Sequence, residues 1–175
     1  MSQPNLTTGG LNILLFIRDD PPKPDDYHWA LYHHTCPSSG TKYHIRNIGA
    51  GGLSDHARHA IQGTRNSSPP LVGFFYIGNI PVEVEECVDT KLRTYDRELN
   101  EMVGTTCRTW LLRALELLKE FKDSDGKSIL VGQDIGEIEK EAKAFANVCR
   151  FEAARMNSKE RMLPVGQVSA FVAQR

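Results

Sequence analysis

The chain has 175 residues, 40% of them hydrophobic and 25% charged, with a formal net charge of −1. That length makes one domain whose core needs neither disulfides nor metals. Near-neutrality excludes the electrostatic footprint of a nucleic-acid or anionic-membrane binder, and no apolar run is long enough to span a bilayer.

The segment Met1–Gly10 is polar and lacks the apolar stretch of a signal peptide, so it reads as a flexible tail ahead of a single domain over residues 11–175. Leu11–Ile17 (LNILLFI) is a short apolar run between Gly9-Gly10 and Asp19-Asp20-Pro21-Pro22, which predicts a buried strand. A proline-rich loop reaches Asp26. His28–His33 and Thr41–Asn47 follow as two strands joined by Cys36-Pro37-Ser38-Ser39-Gly40, a β-hairpin pattern. In the second, Tyr43 and Ile45 share one face and Lys42, His44 and Arg46 the other. Such a hairpin places His28 and His44 on neighbouring strands.

Ile48–Pro70 is polar and glycine-rich and reads as loop, with a short helix around Asp55–Ile61. Leu71–Ile77 is another apolar strand, with Gly73 and Gly78 marking a bend or bulge. Pro81–Met102 has a helical stripe of Val84, Val88, Leu92, Tyr95 and Leu99. A second helix runs from Arg108 to Lys122, the most apolar of the set, and a third from Ile135 to about Asn157 behind Asp134 as its cap. Ile129–Val131 is a short extended piece, and Val165–Ala173 alternates in part, as a terminal edge strand does. Strands early and helices late predict an α+β fold: a small antiparallel sheet packed against the helix that begins at Cys107 and against two further helices.

Cys107 stands behind Thr105-Thr106, natural N-caps, in the first turn of the second helix. Unpaired N–H groups and the positive end of the helix dipole favour a thiolate there, which makes Cys107 a candidate nucleophile. The alternative is a small apolar residue tucking the helix end into the core. Four cysteines, Cys36, Cys87, Cys107 and Cys149, lie far apart with no C-x-x-C pair. That spacing argues against a zinc site and for a reducing, cytoplasmic setting, with Cys87 and Cys149 as core fillers beside apolar stripes. His33, His34, His56 and His59 read as solvated surface histidines.

The order His28-Trp29-Ala30-Leu31-Tyr32, then Lys42-Tyr43-His44, then a helix-start Cys107 resembles the circularly permuted papain-like thiol enzymes, in particular the lecithin:retinol acyltransferase and phospholipase/acyltransferase branch. It is also similar to small fungal proteins of unknown function with a His-Trp-Ala motif ahead of a Cys-x-x-Trp helix. The resemblance implies a permuted papain-like fold with Cys107 as nucleophile, His28 as base and His44 orienting His28. Thr106 stands where that branch commonly has Asn, and no transmembrane anchor follows.

On that reading the protein is a cysteine hydrolase or acyltransferase acting on an amide, ester or thioester of a small-molecule or peptide acyl substrate. It would work as a monomer with no metal or organic cofactor. Arg46, Trp29 and Thr106 are the substrate-binding candidates, Arg46 by pairing with a carboxylate or phosphate and Thr106 by donating to an oxyanion. The competing reading of Arg46 and Lys42 is a solvated strand face. The competing function is a non-catalytic binding or accessory protein that keeps the fold, with Cys107 packed in the core.

Overall fold

In the computed structural model, which describes residues 5–48, 51–60, 70–99, 104–155 and 163–168 (side chains of 46–48, 51–60 and 96–99 excepted), the run LNILLFI lies in strand β1, Gly10–Ile17. Strand β1 has β2 (Tyr27–Cys36) on one side and β5 (Leu71–Asn79) on the other, both antiparallel. A central strand is covered on both faces, which is why its apolar residues are continuous and do not alternate with polar ones. Leu11, Ile13, Leu15 and Ile17 join a large apolar cluster on one face, and Leu14 and Phe16 a smaller one on the other.

The full sheet has the order β4-β3-β2-β1-β5-β6, with β3 at Ser39–Ile48, β4 at Gly51–Ala60 and β6 at Val165–Gln167. Every neighbouring pair is antiparallel except β5–β6. The expected hairpin is the β2–β3 pair. Both strands run further than expected, because the ladder continues to Cys36↔Ser39. That extension overturns the surface reading of His33 and His34, which lie buried within β2. His56 and His59 fall on β4, and their side chains lie outside the described residues.

The helix expected around Asp55–Ile61 is instead strand β4, paired with β3 from Ile48↔Gly51 to Ser39↔Ala60. The segment GGLSDHARHA lacks the apolar stripe a short helix needs for burial, while β3 offers a whole edge of backbone donors and acceptors. The β1–β5 register slips between Leu11/Asn12 and between Leu15/Phe16, next to Gly78 and Gly73, where a bulge was expected. At Gly78 residues 129–131 pair antiparallel with the strand: Asn79 N donates to Ile129 O at 2.9 Å and Val131 N to Ile77 O at 2.8 Å. A Cβ on residue 78 would collide with the Ile129 carbonyl oxygen, so only glycine permits that approach.

The helices α1 (Val82–Leu99), α2 (Cys107–Leu118) and α3 (Ile135–Arg155) cover one face. Helix α2 lies over β2 and β3, α3 over β5 and β1, and α1 against α2 and β4. Trp110, Leu111, Ala114, Leu115 and Leu118 of α2 are fully buried against Trp29 and Leu31 of the sheet. The helix ends at Leu118, short of Lys122, because Phe121 N turns back to Leu118 O and Lys122 pairs with Ser128. The opposite face of the sheet carries the smaller cluster of Leu14, Phe16, Ala30, Tyr32, Leu71 and Phe74, with Leu163 and Leu6 packed on it.

Residues 5–10 are not the loose tail expected of them. Gly9 N donates to His34 O at 2.7 Å, Ile80 N donates to Gly9 O at 2.8 Å, and Leu6 packs on the second cluster. Cys87 is exposed, not a core filler, while Cys149 packs half-buried against the core. Among the described residues, no helix is long and apolar enough to cross a membrane.

Candidate functional site

Alternation along β2 divides its side chains between two environments. Tyr27, Trp29 and Leu31 join the cluster under the helices, while Ala30 and Tyr32 join the cluster on the far face. His28 falls with the second set, its ring 5.9 Å from that of Phe16. On β3, Tyr43 and Ile45 face the helices, and Lys42 and His44 face away, with Lys42 Nζ 5.7 Å from the Phe16 ring. His28 and His44 therefore meet, as the hairpin predicts. His28 Nε2 stands 3.4 Å from His44 Nδ1, and the rings are edge-on at 80° with centroids 5.6 Å apart.

Cys107 is on the other side of the sheet. It occupies the first turn of α2, as expected, and packs half-buried against the helix-side cluster. The expected convergence of Cys107 with His28 and His44 is thus corrected. A layer packed on a sheet is about 10 Å from it, and proton transfer needs a heavy-atom approach of about 3 Å. The physical reason is the two-residue period of a strand: Trp29 goes under the helices, so His28 cannot.

Of the substrate-binding candidates, Trp29 and Thr106 are engaged elsewhere in the fold. Trp29 is 1% exposed and is core. Thr106 is the N-cap of α2; its hydroxyl accepts from Thr109 N at 3.1 Å, and its own N–H donates to Thr109 Oγ1 at 2.8 Å. The Thr109 hydroxyl donates to Thr106 O, and its oxygen lies 3.1 Å from the Thr106 hydroxyl, so the cap itself offers an acceptor to the O–H proposed for an oxyanion. Arg46 lies on β3, with its side chain outside the described residues.

Burial, with smaller contributions from Lys42 and Arg18, pushes the pKa of His28 down to about 4. The imidazole is therefore neutral at pH 7, and in the His28–His44 contact one ring nitrogen donates and the other accepts. Neutral ring nitrogens of this kind can donate or accept a hydrogen bond, and can take up a proton under acid. Nucleophilic catalysis needs in addition a nucleophile on the same face, and Cys107 is not there.

Other polar groups escaped the sequence reading. Tyr43 OH donates to Asp89 at 2.7 Å, and Arg93 Nε donates to the other Asp89 oxygen at 2.6 Å, in the wall of a cavity of about 440 Å³ beneath α1. Helical spacing of Asp89 and Arg93 was the available signal. Asn12 is buried in the middle of an apolar run, where its polarity alone was the signal. At the β2–β3 turn, Cys36 Sγ lies 2.9 Å from Ser39 Oγ, and hydrogen bonds from the Ser39 hydroxyl and the Ser38 backbone hold the thiol below its usual range. Among the described residues, no group of three or more His, Cys, Asp or Glu side chains is placed to hold a metal ion.

Comparison with curated proteins and with solved structures finds no match. Residues 10–169, from the first strand to the last, match DUF6914, a family of unknown function, and the chain belongs to that family.

Proposed function

We propose that this protein is a non-catalytic binding domain whose recognition surface is the sheet face turned away from the helices. The observation that carries this reading is the sheet itself, which separates Cys107 from His28 and His44. Cys107 then serves to close the end of α2 over the core, where a small half-buried thiol packs as an apolar residue. The far face offers polar groups, the half-buried His28 and Lys42 among them, beside buried apolar ones, the mixture that orients a small molecule or a peptide. Free thiols at all four cysteines suit a monomer in a reducing compartment such as the cytoplasm.

The hydrolase or acyltransferase reading draws its support from the position of Cys107 at a capped helix start and from the residue order shared with permuted papain-like enzymes. It requires an imidazole on the Cys107 side. Acyl trapping separates the two readings. The full chain is incubated with p-nitrophenyl acetate or an acyl thioester, and with iodoacetamide at pH 6, and Cys107 is followed by peptide mass spectrometry. The binding reading expects no acyl adduct on Cys107 and alkylation no faster than that of an ordinary thiol. A stoichiometric acyl adduct on Cys107 that is lost in His28→Ala overturns it.

A further inference from the structure

One row of side chains crosses three strands on the face away from the helices. Asn12 of β1 pairs with Tyr76 of β5, and Tyr76 pairs with Gln167 of β6. Directly paired residues in a sheet project on the same side, so an amide, a phenol and a second amide stand side by side. Residues 5–7 pass beside this row, and the two together enclose a cavity of about 350 Å³. Asn5 and Thr7 add polar groups to its wall, and Leu6 and Val165 add apolar ones.

Asn12 is the unusual member. It is 1% exposed, and its Nδ2 donates to Gly10 O at 3.3 Å. That bond fixes the orientation of the amide, because a flipped amide would set its oxygen against the Gly10 carbonyl. Asn12 Oδ1 then has no hydrogen-bond partner among the described residues. Leaving a buried acceptor unmet costs about 1–3 kcal/mol, and such groups in native proteins have a reason to be there. Within the central strand of this sheet, a leucine at position 12 would pack without that cost.

We propose that this cavity is a binding site for a neutral, hydroxyl-rich ligand of the size of a sugar ring, with Asn12 Oδ1 accepting from a ligand hydroxyl. The site deepens the binding reading above and rests on it. The wall residues are uncharged side chains of Asn, Thr, Tyr, Gln, Leu and Val, together with Gly166, so a charged ligand would lose its hydration without gaining a counter-charge. Hydroxyls both donate and accept, which suits a wall that mixes carbonyl acceptors with amide and phenol donors. The Tyr76 ring, half-buried beside Asn12, supplies a flat apolar surface for the C–H face of a sugar, and burial keeps its phenol protonated.

The test uses the full chain and three probes: methyl β-glucoside, N-acetylglucosamine and, as charged control, glucuronate. Binding is read by saturation-transfer NMR and by titration of backbone amide shifts. The expected result is saturable binding of a neutral sugar with shifts centred on Gly10, Tyr76 and Gly166, and none for glucuronate. Asn12→Leu should weaken binding roughly tenfold, the scale of one buried hydrogen bond. Gln167→Ala, at an exposed rim position, should weaken it severalfold without touching the fold. No saturable binding by either neutral sugar, equal binding of glucuronate, or equal affinity in both variants overturns the proposal. Any of these outcomes leaves the acyl-trapping result standing, whereas a His28-dependent adduct on Cys107 removes the binding reading itself.

Discussion

His28 and Trp29 are consecutive in the chain and face opposite sides of one sheet. Trp29 is buried against α2 in the larger cluster, and His28 lies beside Phe16 and His44 on the other face. Which histidine meets which partner follows from this alternation, and so does the distance kept from Cys107.

The first prediction concerns acid. The pKa of His28 is pushed down to about 4 in the folded protein, against about 6.5 for an unperturbed histidine in the unfolded chain. Between these values the unfolded chain binds a proton that the fold excludes. Stability is therefore complete above about pH 6.5 and is lost as pH falls towards 4, where the loss levels off. Burial depresses His33 and His34 in the same direction. Urea titrations from pH 7 to pH 5, above the range of ordinary carboxylates, should show falling midpoints. His28→Gln should flatten that slope by up to one proton; an unchanged slope would place the proton elsewhere.

A second prediction concerns thiol reactivity. The Ser39 hydroxyl and the Ser38 backbone favour the thiolate of Cys36. Cys36 should react with iodoacetamide at pH 7 ahead of Cys149, which packs against the core. Ser39→Ala should slow Cys36 roughly threefold, the effect of removing one hydrogen bond to the thiolate. Timed alkylation with peptide mass spectrometry measures both. Equal rates in the parent and in Ser39→Ala would show that the contact does not act on the thiol.

The third prediction tests the antiparallel bridge between Gly78 and Leu130. Its missing Cβ lets the Ile129 carbonyl reach the Asn79 amide. Gly78→Ala should cost about 1–3 kcal/mol, as overpacking does when backbone has to move. Gly126, in a turn with φ +77, provides the contrast. The space where an alanine methyl would stand there is open, so the substitution strains the turn but displaces nothing. Denaturant unfolding of Gly78→Ala that matched the parent would mean that the 129–131 segment does not depend on this contact.

Local chemistry by itself determined much of this protein. An apolar run between turn residues is a strand wherever it sits, and Leu11–Ile17 and Leu71–Ile77 were legible for that reason. The helices over residues 82–99, 107–118 and 135–155 were announced by apolar spacing and by caps, Thr106 and Asp134 among them. The meeting of His28 and His44 was also legible, because one hairpin holds both. Strand β4 was not, since a polar, glycine-rich segment takes its conformation from the free edge of β3 and not from its own side chains. Nor was the side of the sheet that each candidate would occupy. Alternation puts His28 and Trp29 on different faces, but only the packing of α2 decides which of those faces the helices cover. Cys107 went with Trp29 because apolar area under the helices is greatest there, and that choice is made by the core as a whole.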